Sequence, residues 1–219
     1  MIYTYFFSGF AANGKSSLID SIEGFVPKGY TVVKIGEAAR NVLKLNNFLF
    51  DKCDMNEFEK QILASEYYIL QFLGELVDKD ETDEKNNIVI LKDRFILDVV
   101  TFMVIKKQIT MEDAADLCRA FFMEHSQKVI HNFHLSNKII LINGTENEEF
   151  IKKAMQDPAR KETLDDFISM QRKFYRIWWQ LADRMNLSER FDIVKFAHPI
   201  DDPMTPFKII SFILTELKG

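Results

Sequence analysis

A chain of 219 residues, 47% of them apolar, has ample material for one buried core, so a single domain spanning 1–219 is expected. A formal net charge of -5 gives no broad basic footprint, which favours small anionic substrates over duplex DNA and leaves room only for a local basic groove. Cys53 and Cys118 lack the spacing of a zinc site or disulfide framework, and no apolar run approaches the ~20 residues a bilayer requires; a soluble, cytoplasmic protein with reduced thiols and no membrane partner is expected.

The first apolar run, Ile2-Tyr3-Thr4-Tyr5-Phe6-Phe7, reads as a strand. It feeds into Gly9-Phe10-Ala11-Ala12-Asn13-Gly14-Lys15-Ser16, a complete G-x-x-x-x-G-K-[ST] pattern. The spacing has a mechanism. Glycines let the backbone wrap an anion with its N–H groups inward, and the following helix adds its positive end. Lys15 reaches the outer phosphates and the Ser16 hydroxyl ligates Mg²⁺. Residues 16–22 carry helical apolar spacing, so the motif falls at the strand-to-helix turn the mechanism needs. A nucleoside triphosphate held by Gly9, Ala11, Ala12, Asn13, Gly14, Lys15, Ser16 and Ser17, with Mg²⁺ as cofactor, is the expectation.

Tyr30–Ile35 reads as a second strand after the turn-forming Pro27-Lys28-Gly29, followed by helices over about 37–49 and 55–77. The charged stretch 78–87 reads as a solvated loop. Ile88-Val89-Ile90-Leu91 is continuously apolar, as a parallel strand covered on both faces should be, and it ends at Lys92-Asp93-Arg94. Asp93 there can orient Mg²⁺, and Arg94 suits fork-like recognition of an acceptor phosphate or hydroxyl. Helices follow over about 96–106 and 111–132, the second capped by Thr110. His131 and His134 lack a third ligand in the pattern, so no metal site is expected there.

Residues 138–143 form the fourth predicted strand. A polar connection, 144–163, precedes a helix over 164–187, where Phe174, Tyr175, Trp178 and Trp179 read as core or as a subunit contact, compatible with a homodimer, rather than as a base-stacking surface. Strand five covers 191–196, and a last helix spans 207–217. Strands alternating with helices predict an α/β protein: a five-stranded parallel sheet flanked by helices, with ligands at the strands' carboxyl ends.

The loop, the Asp93-Arg94 step, Asp98 and the element order together resemble the nucleoside and nucleotide kinases among P-loop proteins: thymidylate kinases, deoxynucleoside kinases and the ATPase-like branch that includes nicotinamide riboside kinase domains, in which phage-type members occur. The resemblance implies a kinase that transfers the γ-phosphoryl group of ATP to a nucleoside, nucleotide or nucleoside-like acceptor. It implies catalytic roles for Lys15, Glu37, Asp93, Arg94 and Arg160, with Ser16 and Asp93 on the metal. It places Glu37, Arg40, Arg94, Asp98 and Arg172 on the acceptor side and makes 144–163 a lid bearing Arg160 and Lys161, with Arg172 and Arg176 one turn apart behind it. Asp98 stands where thymidylate kinases usually carry Ser, which weighs against a dTMP acceptor. Two other readings stay open: a polynucleotide or modified-base kinase, and a non-catalytic ATP-dependent binding module. The fourth strand ends in Leu141-Ile142-Asn143-Gly144, which lacks the N-K-x-D signature of GTPases.

Overall fold

The computed structural model describes residues 2–36, 87–120, 136–156 and 163–218. Five strands, β1 (Ile2–Ser8), β2 (Tyr30–Ile35), β3 (Asn87–Asp93), β4 (Ser136–Ile142) and β5 (Asp192–Phe196), form one sheet of order β2-β3-β1-β4-β5 in which every neighbouring pair is parallel. The helices are α1 (Lys15–Glu23), α2 (Ile96–Ile105), α3 (111–120), α4 (Glu148–Ala154), α5 (Leu164–Arg184) and α6 (Thr205–Lys218). This is the expected α/β class.

The central strand shows why the sequence demands two layers of cover. Every residue of β1 is buried, because successive side chains point to opposite faces and both faces are packed. Tyr3, Tyr5 and Phe7 join Leu18, Ile19 and Ile22 of α1 and Ile209, Ile210 and Ile213 of α6 on one face. Phe6 joins residues of α2, α3, α4 and α5 on the other, including Leu97, Cys118, Ile151 and Trp178. Burial pushes the Cys118 thiol up to about 12, so it is a packing residue rather than a nucleophile.

Strand β3 runs two residues beyond its expected end. Lys92 and Asp93 look like a boundary in sequence, yet both are buried and pair with Phe6 and Phe7 of β1. The range 144–163 contains α4, seven residues with Asn147 as its cap, acidic residues in the first turn and lysines in the last. Thr110 caps α3 as expected, exchanging bonds with Asp113, and Thr163 with Asp166 forms a capping box on α5. The predicted helices at 37–49 and 55–77 lie outside the described residues. Among the described residues, no helix is long and apolar enough to cross a membrane.

Candidate functional site

Parallel pairing brings the carboxyl ends of the strands into one line. Phe7 lies opposite Asp93, Ser8 opposite Leu141, and Ile142 opposite Phe196. Segments Ser8–Lys15, Asp93-Arg94, Asn143–Thr145 and the chain after β5 therefore emerge along the same edge. Strand β1 has β3 on one side and β4 on the other, which makes its end the switch point where open α/β sheets present their crevice.

The loop after β1 has the backbone of an anion cradle. Ala12 and Gly14 have φ of 64° and 74°, while Asn13 between them and Lys15 after them do not have positive φ. Such alternation turns successive N–H groups toward one side. Gly9 has φ 136°, and a Cβ added there would meet the Ile142 carbonyl at 2.5 Å, so only glycine passes this strand.

Lys15 is 6% exposed, and its Nζ donates to the carbonyls of Gly9 and Phe10, both at 2.8 Å. A buried ammonium is costly unless its donors are used; here they are used by carbonyls that an anion in the loop could replace. Ser16, at the start of α1, donates to Asp93 Oδ2 at 2.5 Å. Asp93 Oδ1 is buried with no hydrogen-bond partner among the described residues. A hydroxyl and a carboxylate with a spare buried oxygen form a hard, oxygen-only donor pair of the kind Mg²⁺ takes. No cluster of three or more His, Cys, Asp or Glu is found among the described residues.

Arg94 follows with φ 70°; its N–H donates to the Phe7 carbonyl at 2.8 Å, and its guanidinium lies 5.6 Å from the Phe102 ring centre. The buried Lys92 ammonium donates to the Arg94 carbonyl at 2.8 Å, bracing that turn. Asp98, expected on the acceptor side, is wholly buried beneath the loop. Its Oδ1 accepts from the Ser8 hydroxyl and from Trp178 Nε1 at 3.0 Å, and its Oδ2 from Gly9 N at 3.3 Å. Burial raises the Asp98 pKa, opposed by the Arg94 and Lys15 charges and by the bonds from Ser8 and Trp178.

Helix α5 contributes residues that the sequence pattern did not single out for the loop. The Tyr175 hydroxyl accepts from Phe10 N at 3.1 Å and from Asn13 Nδ2 at 2.7 Å, and donates to the Ile142 carbonyl at 2.7 Å. Trp178 is fully buried, as core; Trp179 has the Lys195 ammonium 3.8 Å from its ring centre. Arg172 and Arg176 share one face, as their spacing requires, and with Asp165, Ile168, Ser169 and Lys173 line a groove of about 460 Å³. Arg172 is exposed and pairs with Glu146 at 2.7 Å. Glu37, Arg40 and Arg160 lie outside the described residues.

His198, just past β5, is a second residue without a sequence signal. It is 2% exposed and accepts from Ile200 N through Nδ1. Its Nε2 makes no well-formed hydrogen bond among the described residues, yet the Ala12 backbone is near enough to favour the charged ring. Burial lowers the His198 pKa, with Lys15 in the same direction and Ala12 and Asp201 opposing. The sign follows from proton counting: the fold binds fewer protons than the unfolded chain, so this stability is complete above about pH 6.5 and declines as pH falls from there toward the folded pKa. Urea unfolding at about pH 7.5 and about pH 5.5 should show that decline, and His198→Asn, which keeps an acceptor for Ile200 N, should remove it. An unchanged pH dependence in the variant would contradict this assignment.

Fold and site together define an α/β protein with a glycine-bearing loop of alternating φ sign at the switch point of a five-stranded parallel sheet. A scan against family models gives no match, and no curated protein matches the chain in sequence.

Proposed function

We propose that the chain is a P-loop phosphotransferase, a nucleoside- or nucleotide-kinase-like enzyme that moves the γ-phosphoryl group of ATP to a nucleoside, nucleotide or nucleoside-like acceptor. The observation that carries this reading is the juxtaposition at the end of β1: a loop of alternating φ sign, a buried Lys15 bonded to two loop carbonyls, and Ser16 bonded to an Asp93 with one oxygen to spare. The loop amides from Gly9 to Ser17 and Lys15 would bind the phosphate tail. Ser16 and Asp93 would hold Mg²⁺, which when bound supplies positive charge against the phosphate oxygens.

The acceptor oxygen forms a bond to the γ-phosphorus as the bond to the ADP oxygen breaks, with little covalent work for the protein beyond placement and charge. Arg94 would orient the acceptor at the strand edge. By the resemblance, Glu37 and Arg40 join it there, and Arg160, with Arg172 behind it, neutralises charge as the segment 144–163 closes. A hydroxyl acceptor gives its proton to Glu37 or Asp93; a phosphate acceptor, already ionised, needs the arginines more than a base.

The groove on α5, with Arg172, Lys173 and Arg176 exposed along it, favours a polynucleotide end or modified base as the second reading of the acceptor. Incubation with γ-labelled ATP and a panel of nucleosides, monophosphates, nicotinamide riboside and oligonucleotides tests both. Label on a small acceptor supports the first reading and label on an oligonucleotide the second. ATP binding with only slow hydrolysis would replace both with a non-catalytic ATP-dependent module.

A further inference from the structure

The loop is backed by α5, whose side chains bond to it and to the carboxylate beneath it. A hydroxyl has one proton and two lone pairs. Tyr175 uses all three: the proton on the Ile142 carbonyl, the lone pairs on Phe10 N and Asn13 Nδ2. One turn further along α5, Trp178 Nε1 donates to Asp98, whose carboxylate also accepts from Ser8 and Gly9 N. On the N-terminal side of Tyr175, Phe167 and Phe174 of α5 pack on the Phe10 ring, with ring centres at 5.1 and 5.6 Å. Phe10 and Asn13 are thus tied to α5 directly, and Ser8 and Gly9 through Asp98 of α2, in a setting where low polarity strengthens each bond.

We propose that α5 braces the loop in its anion-receiving shape before any ligand arrives, with Tyr175 and Trp178 as its positioning residues. This rests on the loop being a phosphate site, as proposed above. A loop already ordered loses little conformational freedom on binding, so the brace acts on affinity more than on the transfer step. Neither side chain needs to touch the ligand.

The test is calorimetry with MgATP and with inorganic tripolyphosphate on the wild type, Lys15→Ala, Tyr175→Phe and Tyr30→Phe. Tyr30 donates to the Leu217 carbonyl at 2.6 Å, so its variant deletes a comparable hydroxyl without touching the loop. Tyr175→Phe should weaken both ligands about tenfold and raise KM for ATP with little change in kcat, while Tyr30→Phe leaves both unchanged. Equal affinity in Tyr175→Phe and wild type would overturn the brace and leave the phosphate site standing. Absence of Lys15-dependent binding in the wild type would overturn the phosphate site and the brace with it. A second readout needs no variant: in the unliganded wild type the Phe10 amide should exchange with solvent as slowly as amides within β1, and exchange at the rate of an open loop would overturn the proposal.

Discussion

Lys15→Ala is expected to cut ATP affinity and phosphoryl transfer at least about a hundredfold, ~2.7 kcal/mol or more, while leaving the fold intact. The size follows from where the ammonium sits. It is buried, preorganised and bonded to two carbonyls of the loop it must serve, so an incoming phosphate finds a full positive charge needing no desolvation at the moment of binding. The fold should survive because alanine is a strong helix former at the first residue of α1 and the apolar clusters on both sheet faces are left untouched. Calorimetry for binding, label transfer for activity and circular dichroism for folding check the three parts. Normal turnover in the variant would refute the assignment of this loop as the triphosphate site.

Asp98→Ala should produce the largest loss of stability, about 3 kcal/mol or more. The substitution strands the Trp178 and Gly9 N–H donors in a closed interior and removes a carboxylate on which the Arg94 and Lys15 charges act. The Ser8 hydroxyl can turn to another acceptor and adds less. Asp98→Asn should not rescue the loss, since both oxygens accept hydrogen bonds and the amide NH₂ must then face a donor whichever way it is set. Urea denaturation measures both variants, and an Asn variant as stable as wild type would mean that one carboxylate oxygen is not an acceptor in the folded protein.

The residues readable from sequence are those whose chemistry depends on neighbours in the chain. The loop announces itself through glycine spacing because positive φ at fixed positions is a local demand, and Asp93 through the apolar strand before it. The end of β3 departs from its local pattern only where burial overrides charge, at Lys92 and Asp93, whose partners lie on another strand. Helix α4 escaped because seven residues with one buried side chain leave almost no periodic pattern. Tyr175 and His198 escaped for a different reason. An aromatic hydroxyl in an apolar helix and an isolated imidazole have no local signature, and what gives them meaning is Phe10, Asn13 and Ala12, far away in sequence and adjacent in space. Asp98 was visible as a candidate, but its contacts with Ser8, Gly9 and Trp178 were not.

The central position of β1 also bears on how the chain is made. Ile2 pairs with Ile88, and Tyr3 with both Val89 and Ser136, so the strand leaves the ribosome long before either neighbour exists. Its sequence, uncharged, aromatic and free of proline, is of the kind that adheres to copies of itself when left open. Nascent chains should therefore depend on chaperone shielding of this segment until β4 emerges, and recombinant yield should respond to slower synthesis or lower temperature more than to any change at the protein's surface.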